Sequence, residues 1–353
     1  MALLERILSR SNLMRAYDQV VRNRGSSGVD GVEVTDLADY LNNNWLSIKA
    51  QIETGVYCPK VVLGVEIPKL SGGTRLLGIP TVIDRLIQQA IHKVLSPLWE
   101  GVFSTHSYGF RPGRNAHQAV RQAQTYINEG YQDIIDLDLK SFFDEVNHDL
   151  LMSLLRQKVK DKRLLKLIRR YLQAGLMLGG VMPPRPKGTL QGGPLSPLLS
   201  NILRNELDQE LTQRGLHFVR YADDCSIFQR SRRAARRVKR SITQFIEGRL
   251  RLKVNEEKTG IRRPVYFELL GYGFVPTYRK GERGQYNLRV APKAFKRLKL
   301  KVKAITRKTS PMSFDERMDR LNALVRGWVN YCKLANTWRK LKELDSWVRN
   351  RLR

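Results

Sequence analysis

The feature that most restricts how this chain can fold is a pair of adjacent acids held between two apolar runs. His217-Phe-Val-Arg leads into Tyr221-Ala-Asp-Asp224, and Cys225-Ser-Ile-Phe follows. β-Branched and aromatic residues on both sides favour strands, so the stretch reads as a hairpin with its acids at the turn. Adjacent carboxylates repel each other, and fixing them at a tight turn suits a hard cation. The plain alternative is an ordinary polar turn, since Asp favours turns for its own reasons. A second stretch weighs against that alternative. Asp133-Ile-Ile-Asp-Leu-Asp-Leu-Lys-Ser-Phe-Phe-Asp144 begins as an alternating strand, with Ile135, Leu137 and Leu139 on one face and Asp136 and Asp138 on the other. An acid at the end of a buried strand is costly unless a cation or partner compensates it. Asp138, Asp223 and Asp224 are therefore expected to cradle two magnesium ions. In such chemistry one ion activates an attacking 3′-hydroxyl and the other stabilises the leaving pyrophosphate. Carboxylates and waters, with substrate phosphates completing the shell, are the ligands magnesium prefers.

The rest of the chain alternates helical and extended signals. Leu3, Leu4, Ile7, Leu13, Ala16, Val20 and Val21 recur at near-helical spacing, which predicts a helix or helix pair over 1–24. A turn-rich loop, 25–31, precedes a helix over 35–53. Two short strands are expected over 61–79 around Ser71-Gly-Gly-Thr74, then a helix over 82–100 and another over 115–129. Beyond the strand at 133–139, helices are expected at 147–158, 161–174, 196–213 and 231–249. Seven basic residues lie from Arg230 to Arg240, at the start of the last of these. The end of the chain reads as three helices. Ser313 with Glu316 three residues later is a capping box, and Met318, Leu321, Leu324, Val325, Trp328 and Val329 form the apolar face behind it. Helical spacing assigns Trp328, Tyr331, Trp338 and Trp347 to the core of this helical region. A boundary is placed near 275–290, in a charged, glycine-containing stretch.

Charge identifies the kind of partner. The chain of 353 residues carries 63 Lys and Arg against 33 Asp and Glu, a net +30. Such an excess repels itself in a compact state, and a polyanion is its natural counterpart. Residues 291–353 alone hold 18 basic and 5 acidic side chains. No apolar run approaches the length of a membrane span. Cys58, Cys225 and Cys332 are far apart and fit neither a disulfide scaffold nor a zinc site, which argues for a reducing, cytoplasmic setting.

Taken in order, Asp138-Leu-Lys-Ser-Phe-Phe-Asp144, Gln191-Gly-Gly-Pro-Leu-Ser-Pro-Leu-Leu199 and Tyr221-Ala-Asp-Asp224 resemble the reverse transcriptases encoded by bacterial group II introns, class C in particular. The likeness extends to Glu66–Pro80, Asp84–Ala90 and Ser107–Arg114, which resemble that family's fingers, and to Gly327-Trp-Val-Asn-Tyr331, which resembles its thumb or maturase region. The resemblance implies an α+β right-hand polymerase: fingers, a palm with an antiparallel sheet, and a three-helix thumb. It divides the chain into an N-terminal extension and start of the fingers (1–60), fingers and palm (61–285) and thumb (286–353). It implies RNA-directed DNA synthesis from dNTPs on an RNA template and DNA primer, with two Mg²⁺ ions or Mn²⁺ as a substitute, together with binding of structured intron RNA.

The same resemblance assigns roles by position. Asp138, Asp223 and Asp224 hold the metals, with the backbone of Leu139 beside them. Phe143 lies under the sugar of the incoming nucleotide and excludes a 2′-hydroxyl. Lys69 and Arg75 grip the triphosphate, and Gln191 and Gly192 pack on the new base pair. Lys258 is the proton donor to pyrophosphate. Arg111 and Arg114 meet the template, while Arg232, Arg233, Arg236, Arg237, Lys293 and Arg297 follow the duplex backbone. The segment containing Gly25–Gly31 matches an extension that covers the template. Two departures are expected to matter. The chain ends after the thumb, without the DNA-binding and endonuclease segments of other members, and Leu190 replaces a common Pro. The readings that compete are an RNA-binding splicing cofactor, an RNA-dependent RNA polymerase, which Phe143 disfavours, and a reverse transcriptase serving DNA repair or antiphage defence. The oligomeric state, monomer or dimer, is left open.

Overall fold

The computed structural model describes residues 2–68, 73–178, 187–189, 191–278, 284–307, 309 and 311–352. In chain order these form α1 (Leu3–Ile7), α2 (Arg10–Asn23), α3 (Leu37–Glu53), β1 (Val62–Pro68), β2 (Thr74–Ile79), α4 (Val82–Glu100), α5 (Ala116–Asn128), β3 (Asp133–Leu137), α6 (Phe142–Glu145), α7 (His148–Lys158), α8 (Lys162–Gln173) and β4 (Leu176–Met177). They continue with α9 (Ser196–Gln213), β5 (His217–Tyr221), β6 (Asp224–Gln229), α10 (Arg232–Gly248), β7 (Gly260–Arg262), β8 (Glu268–Leu269), β9 (Tyr272–Pro276), β10 (Tyr286–Val290), α11 (Pro292–Ile305), α12 (Phe314–Cys332) and α13 (Trp338–Leu352). Two compact units interleave along the chain. The first comprises 1–111, 139–214 and 241–255, and the second 112–138, 215–240 and 256–353.

In the first unit a three-stranded sheet, ordered β2-β1-β4, joins the antiparallel β1–β2 pair to β4, which runs parallel to β1. Helix α4 packs against α2, α1 and α9. Thr81 caps it by accepting from the Asp84 amide, and Val82, Leu86, Ile87, Ala90, Ile91, Val94 and Leu95 are all buried. That pattern is too broad for a surface helix and requires neighbours on most sides. Asp84, inside this core, collects four donors: the Tyr57 hydroxyl at 2.8 Å, the Tyr171 hydroxyl at 3.1 Å, the Thr81 hydroxyl at 2.8 Å and the Lys60 amide at 3.1 Å. Burial still pushes its pKa upward against these four bonds.

The second unit contains two antiparallel sheets, ordered β5-β6-β3-β7 and β10-β9-β8. Ile134, Ile135, Phe218, Ile227 and Phe228 fill the first from its centre. Phe267 stacks on Phe274 with ring centroids 5.5 Å apart, and Phe228 meets Phe267 edge-on. The second sheet occupies the region in which the sequence suggested a boundary. Its strands β9 and β10 pair antiparallel, with Tyr272 opposite Val290. The helices α11 to α13 share a small core of Leu298, Val302, Leu321 and Leu344, to which Met318, Leu324, Trp328 and Trp347 add. Ser313 caps α12 by accepting from the Glu316 amide, as the sequence suggests. Trp338 is a correction: it is 65% exposed, with the Lys342 ammonium 4.8 Å from its ring, because it opens α13 instead of lying on its inner stripe. Among the described residues no helix is long and apolar enough to cross a membrane.

Candidate active site

The acids lie in the second unit, and β-sheet register places two of them. β3 and β6 pair antiparallel and finish with Leu137 opposite Cys225. One step further along the same register, Asp138 falls opposite Asp224. Opposed residues of an antiparallel pair project to the same face, so both carboxylates share one face at one end of the sheet. Asp223 lies in the two-residue turn between Tyr221 and Asp224, which are themselves paired. Ala222, its neighbour in that turn, has φ 53°, a left-handed conformation that costs an L-residue about 1–2 kcal/mol. Strain of this kind concentrates where a fold must aim particular side chains.

Cations already approach these acids. Lys258 Nζ is 3.7 Å from Asp138 Oδ2, in an exposed pair. Asp136, two residues back on the same face, pairs with Arg262 Nε at 3.0 Å. Burial pushes the Asp136 carboxyl up, and Arg262 pulls it back. Oxygen donors of this type fit a hard divalent cation. Among the described residues, no three acidic, His or Cys side chains close to a metal-binding cluster.

The residues expected to handle the nucleotide belong to the first unit. Phe143 lies in α6, nearly buried and edge-on to Phe142. The guanidinium of Arg204, itself buried and donating to Ser200 Oγ at 2.7 Å, stacks 3.5 Å from the Phe142 ring centre. The Phe143 carbonyl accepts from the Thr189 amide at 2.6 Å, which ties α6 to the segment leading into Gln191. Gln191 in turn touches β2: its carbonyl accepts from the Gly78 amide at 2.7 Å, and its side-chain oxygen accepts from Arg75 Nε. Gly192, at φ 122°, has no room for a Cβ, which would fall 2.1 Å from the Gly78 oxygen. Leu139 is bridged to Val254. Lys69 and Leu190 lie outside the described residues.

The basic residues divide into structural and exposed sets. Arg111 is buried and spends its guanidinium on Glu100 at 2.6 Å and on the carbonyls of Ser104 and Ser107 at 2.5 and 2.8 Å. Its place in the structure is that of a pin for its own loop, which the sequence alone did not suggest. Arg232 donates to the Ile261 carbonyl at 2.7 Å and lies near buried Asp133. Arg233, Arg236 and Arg237 are exposed on α10, and Lys293 and Arg297 are exposed on α11, while Arg114 is partly buried. The 25–31 loop lies against the start of α4. A Cβ on Gly28 would fall 2.7 Å from Thr81 Cα, and Arg85 donates to the Ser26 carbonyl at 2.5 Å.

Tyr331, which helical spacing assigned to the core of the C-terminal helices, is instead 40% exposed and lies outside that core, and Thr259 was not singled out in the sequence. Tyr331 donates its hydroxyl to the Leu270 carbonyl at 2.7 Å, and its own carbonyl meets His117 Nε2 at 2.6 Å. Burial, then neighbouring Tyr221, Cys332 and Asp224, raise its pKa. Thr259 is buried beside Asp138 and bonds to its main chain. The contacts of both residues are long-range in sequence, so only the fold reveals them.

Comparison with known proteins places these observations. Residues 67–274, more than half of the chain, match the model of the family described as reverse transcriptase (RNA-dependent DNA polymerase). Residues 295–353 match the group II intron maturase-specific domain. Protein YkfC of Escherichia coli K12 is 33% identical over 272 residues, covering 66% of this chain and 71% of its own. The group II intron-encoded protein LtrA of Lactococcus lactis is 36% identical over 207 residues, covering 58% of this chain and 34% of its own. Among solved structures, a chain of a partial Cas6-RT-Cas1–Cas2 complex aligns with a TM-score of 0.45 and 24% identity, over 70% of this chain and 43% of that one. The chain thus spans about a third of LtrA.

Proposed function

The chain belongs to the reverse transcriptase family and carries the group II intron maturase-specific domain, and from that premise we propose that it is an RNA-directed DNA polymerase that extends a DNA primer on an RNA template. The observation that carries this reading is the register that sets Asp138 and Asp224 on one face, with Asp223 in the adjoining turn. Divalent metal ions serve this family, and Asp138, Asp223 and Asp224 would hold two Mg²⁺, or Mn²⁺ in their place. When bound, the ions supply activation of the primer 3′-hydroxyl and charge stabilisation at the triphosphate. The side chains supply placement. Arg75 presents a fork for phosphate oxygens and is oriented by Gln191. Phe143 is held by Phe142, Arg204 and the Thr189 amide, which makes it a rigid wall. Such a wall discriminates against a 2′-hydroxyl because a packed ring cannot yield. Lys258, 3.7 Å from Asp138 Oδ2, would neutralise charge there and deliver a proton to the leaving pyrophosphate.

A maturase role accompanies this activity. The match over 295–353 and the exposed cations of α10 and α11 support binding to structured intron RNA.

The test is primer extension on an RNA template with Mg²⁺, with dNTPs and rNTPs run in parallel. Asp223→Ala with Asp224→Ala serves as the control. Expected is DNA synthesis that the control abolishes, with rNTPs used poorly. Tight binding to structured RNA without any synthesis would instead leave only the splicing role. Efficient rNTP use would refute the role given to Phe143.

A further inference from the structure

The β3–β7 ladder stops two residues before Asp138, where the metal-binding chemistry would begin. Its last pair is Asp136 with Gly260, so the register would set Leu137 against Thr259 and Asp138 against Lys258. A strand that ends here leaves the Asp138 amide and carbonyl without ladder partners, and an unpaired, partly buried main chain neither holds its position nor escapes its desolvation cost. The Thr259 side chain fills the gap. Its hydroxyl accepts from the Asp138 amide at 3.1 Å and donates to the Asp138 carbonyl at 3.2 Å. One oxygen thus takes the place of a whole strand residue, accepting one bond and donating the other. Thr259 is itself fixed. It is 4% exposed, its carbonyl accepts from Lys239 Nζ at 3.0 Å, and the next residue enters β7.

We propose that Thr259 is a positioning residue for Asp138, holding that residue's main chain so that its carboxylate meets the metals in one orientation. The inference rests on the polymerase reading above. Adjacent residues then divide the task, Lys258 facing the carboxylate and Thr259 the backbone. A side-chain clamp has a reason to be used here. Continuing β7 by two more residues would pair Asp138 with the Lys258 backbone and fix that lysine in the ladder, whereas a hydroxyl clamp leaves Lys258 exposed beside the strand.

The experiment compares Thr259→Val, which keeps the shape and removes both bonds, with Thr259→Ser, which keeps the hydroxyl. Three quantities are measured on the full chain: Mn²⁺ affinity by paramagnetic resonance, the Mg²⁺ concentration for half-maximal primer extension, and hydrogen exchange of the Asp138 amide. Groups that orient metal ligands typically govern affinity or activity by about 10–100-fold. Thr259→Val is therefore expected to weaken Mn²⁺ binding and raise the half-saturating Mg²⁺ roughly tenfold or more, with KM for primer–template unchanged. Thr259→Ser is expected within about threefold of the parent. Wild-type metal affinity in the valine variant would overturn the proposal, as would equal damage from serine. Exchange in the parent protein stands apart from any variant's folding: an Asp138 amide exchanging at loop rates excludes the clamp. Failure of the polymerase reading looks different, because the parent would then make no DNA while Asp138 protection and the valine effect on Mn²⁺ persisted.

Discussion

Gly192→Ala is the most severe single-methyl change the structure predicts. The added Cβ would stand 2.1 Å from the Gly78 carbonyl oxygen, where real Cβ contacts do not fall below 3.0 Å. Relief requires the 191–193 loop and β2 to separate by about 1 Å, and Gly78 is backbone, so no flexible side chain can absorb the shift. Three costs accumulate. The φ of 122° is unfavourable for any L-residue, at about 1–2 kcal/mol. Overpacking against backbone adds about 1–3 kcal/mol. The 2.7 Å bond from the Gly78 amide to the Gln191 carbonyl is stretched or lost, at about 1 kcal/mol. Partial relaxation brings the total to about 3–5 kcal/mol. Function falls further, because Gln191 orients Arg75, and a misplacement near 1 Å at a reacting group can cost about 100-fold. Urea unfolding measures the first quantity, and single-nucleotide primer extension with varied dNTP measures the second. Gly215→Ala is the control: its φ is 63° with nothing within 4 Å, so it isolates backbone strain, at about 1 kcal/mol, and leaves activity within about twofold. If Gly192→Ala proves as stable and as active as Gly215→Ala, the loop does not pack on β2 in solution and the argument from close approach is wrong.

Arg111→Ala is expected to destabilise by about 3–5 kcal/mol in urea unfolding, because it strands the half-buried Glu100 and two loop carbonyls; Arg111→Lys should rescue little, since an ammonium cannot reproduce the fork. Neutralising Arg233, Arg236 and Arg237 together should leave unfolding unchanged. It should reduce the slope of log affinity for RNA against log salt by about one per phosphate contact removed, read by filter binding over a salt series. His92 has its pKa lowered by burial and by Lys93, so the unfolded chain binds its proton more readily than the folded one. Stability should therefore fall as pH drops through the unfolded value of about 6.5 and continue falling until the folded group charges; the slope should flatten between pH 7 and 5 in His92→Gln, measured by urea unfolding at each pH.

Periodicity made most of the helices legible, because a long apolar stripe such as that of α4 admits few other readings. The hairpin of β5 and β6 was legible for a similar reason: its apolar flanks and acidic turn are local signals. What the sequence concealed was non-local. β8 to β10 are short, interrupted by glycine and charge, and owe their stability to a Phe228–Phe267–Phe274 contact series that no window of residues contains. That is why no strand was legible in the stretch 275–290. Arg111 and Arg114 read alike in Arg-Pro-Gly-Arg, yet Arg111 is consumed by Glu100, eleven residues upstream. Burial of a charged side chain depends on a partner, and the partner is visible only once the chain has folded. The same holds for Thr259, an unremarkable residue until β7 ends beside it.

The position of the acids on the sheet follows from competing demands on a carboxylate. It must be fixed in direction, which favours a strand, and it must remain charged and reachable, which disfavours one. Asp136 shows the cost of choosing the strand interior. One ladder pair inward on the same face, its carboxyl is pushed up by burial, and the Arg262 guanidinium beside it pulls it back. A cation so engaged would compete with any metal for the same oxygens. A loop acid errs in the other direction, since an unfixed main chain spreads the carboxylate over many orientations and the entropy of collecting it opposes binding. Asp138 and Asp224 lie one step past the last pair of their shared ladder, where direction is inherited from the strands and burial is not. Asp223 reaches the same end through a turn whose left-handed Ala222 is tolerated because the paired Tyr221 and Asp224 leave it no alternative. The sheet end is thus the point at which rigidity and ionisation can coexist, and a shift of register by one residue would turn both strand acids to the opposite face.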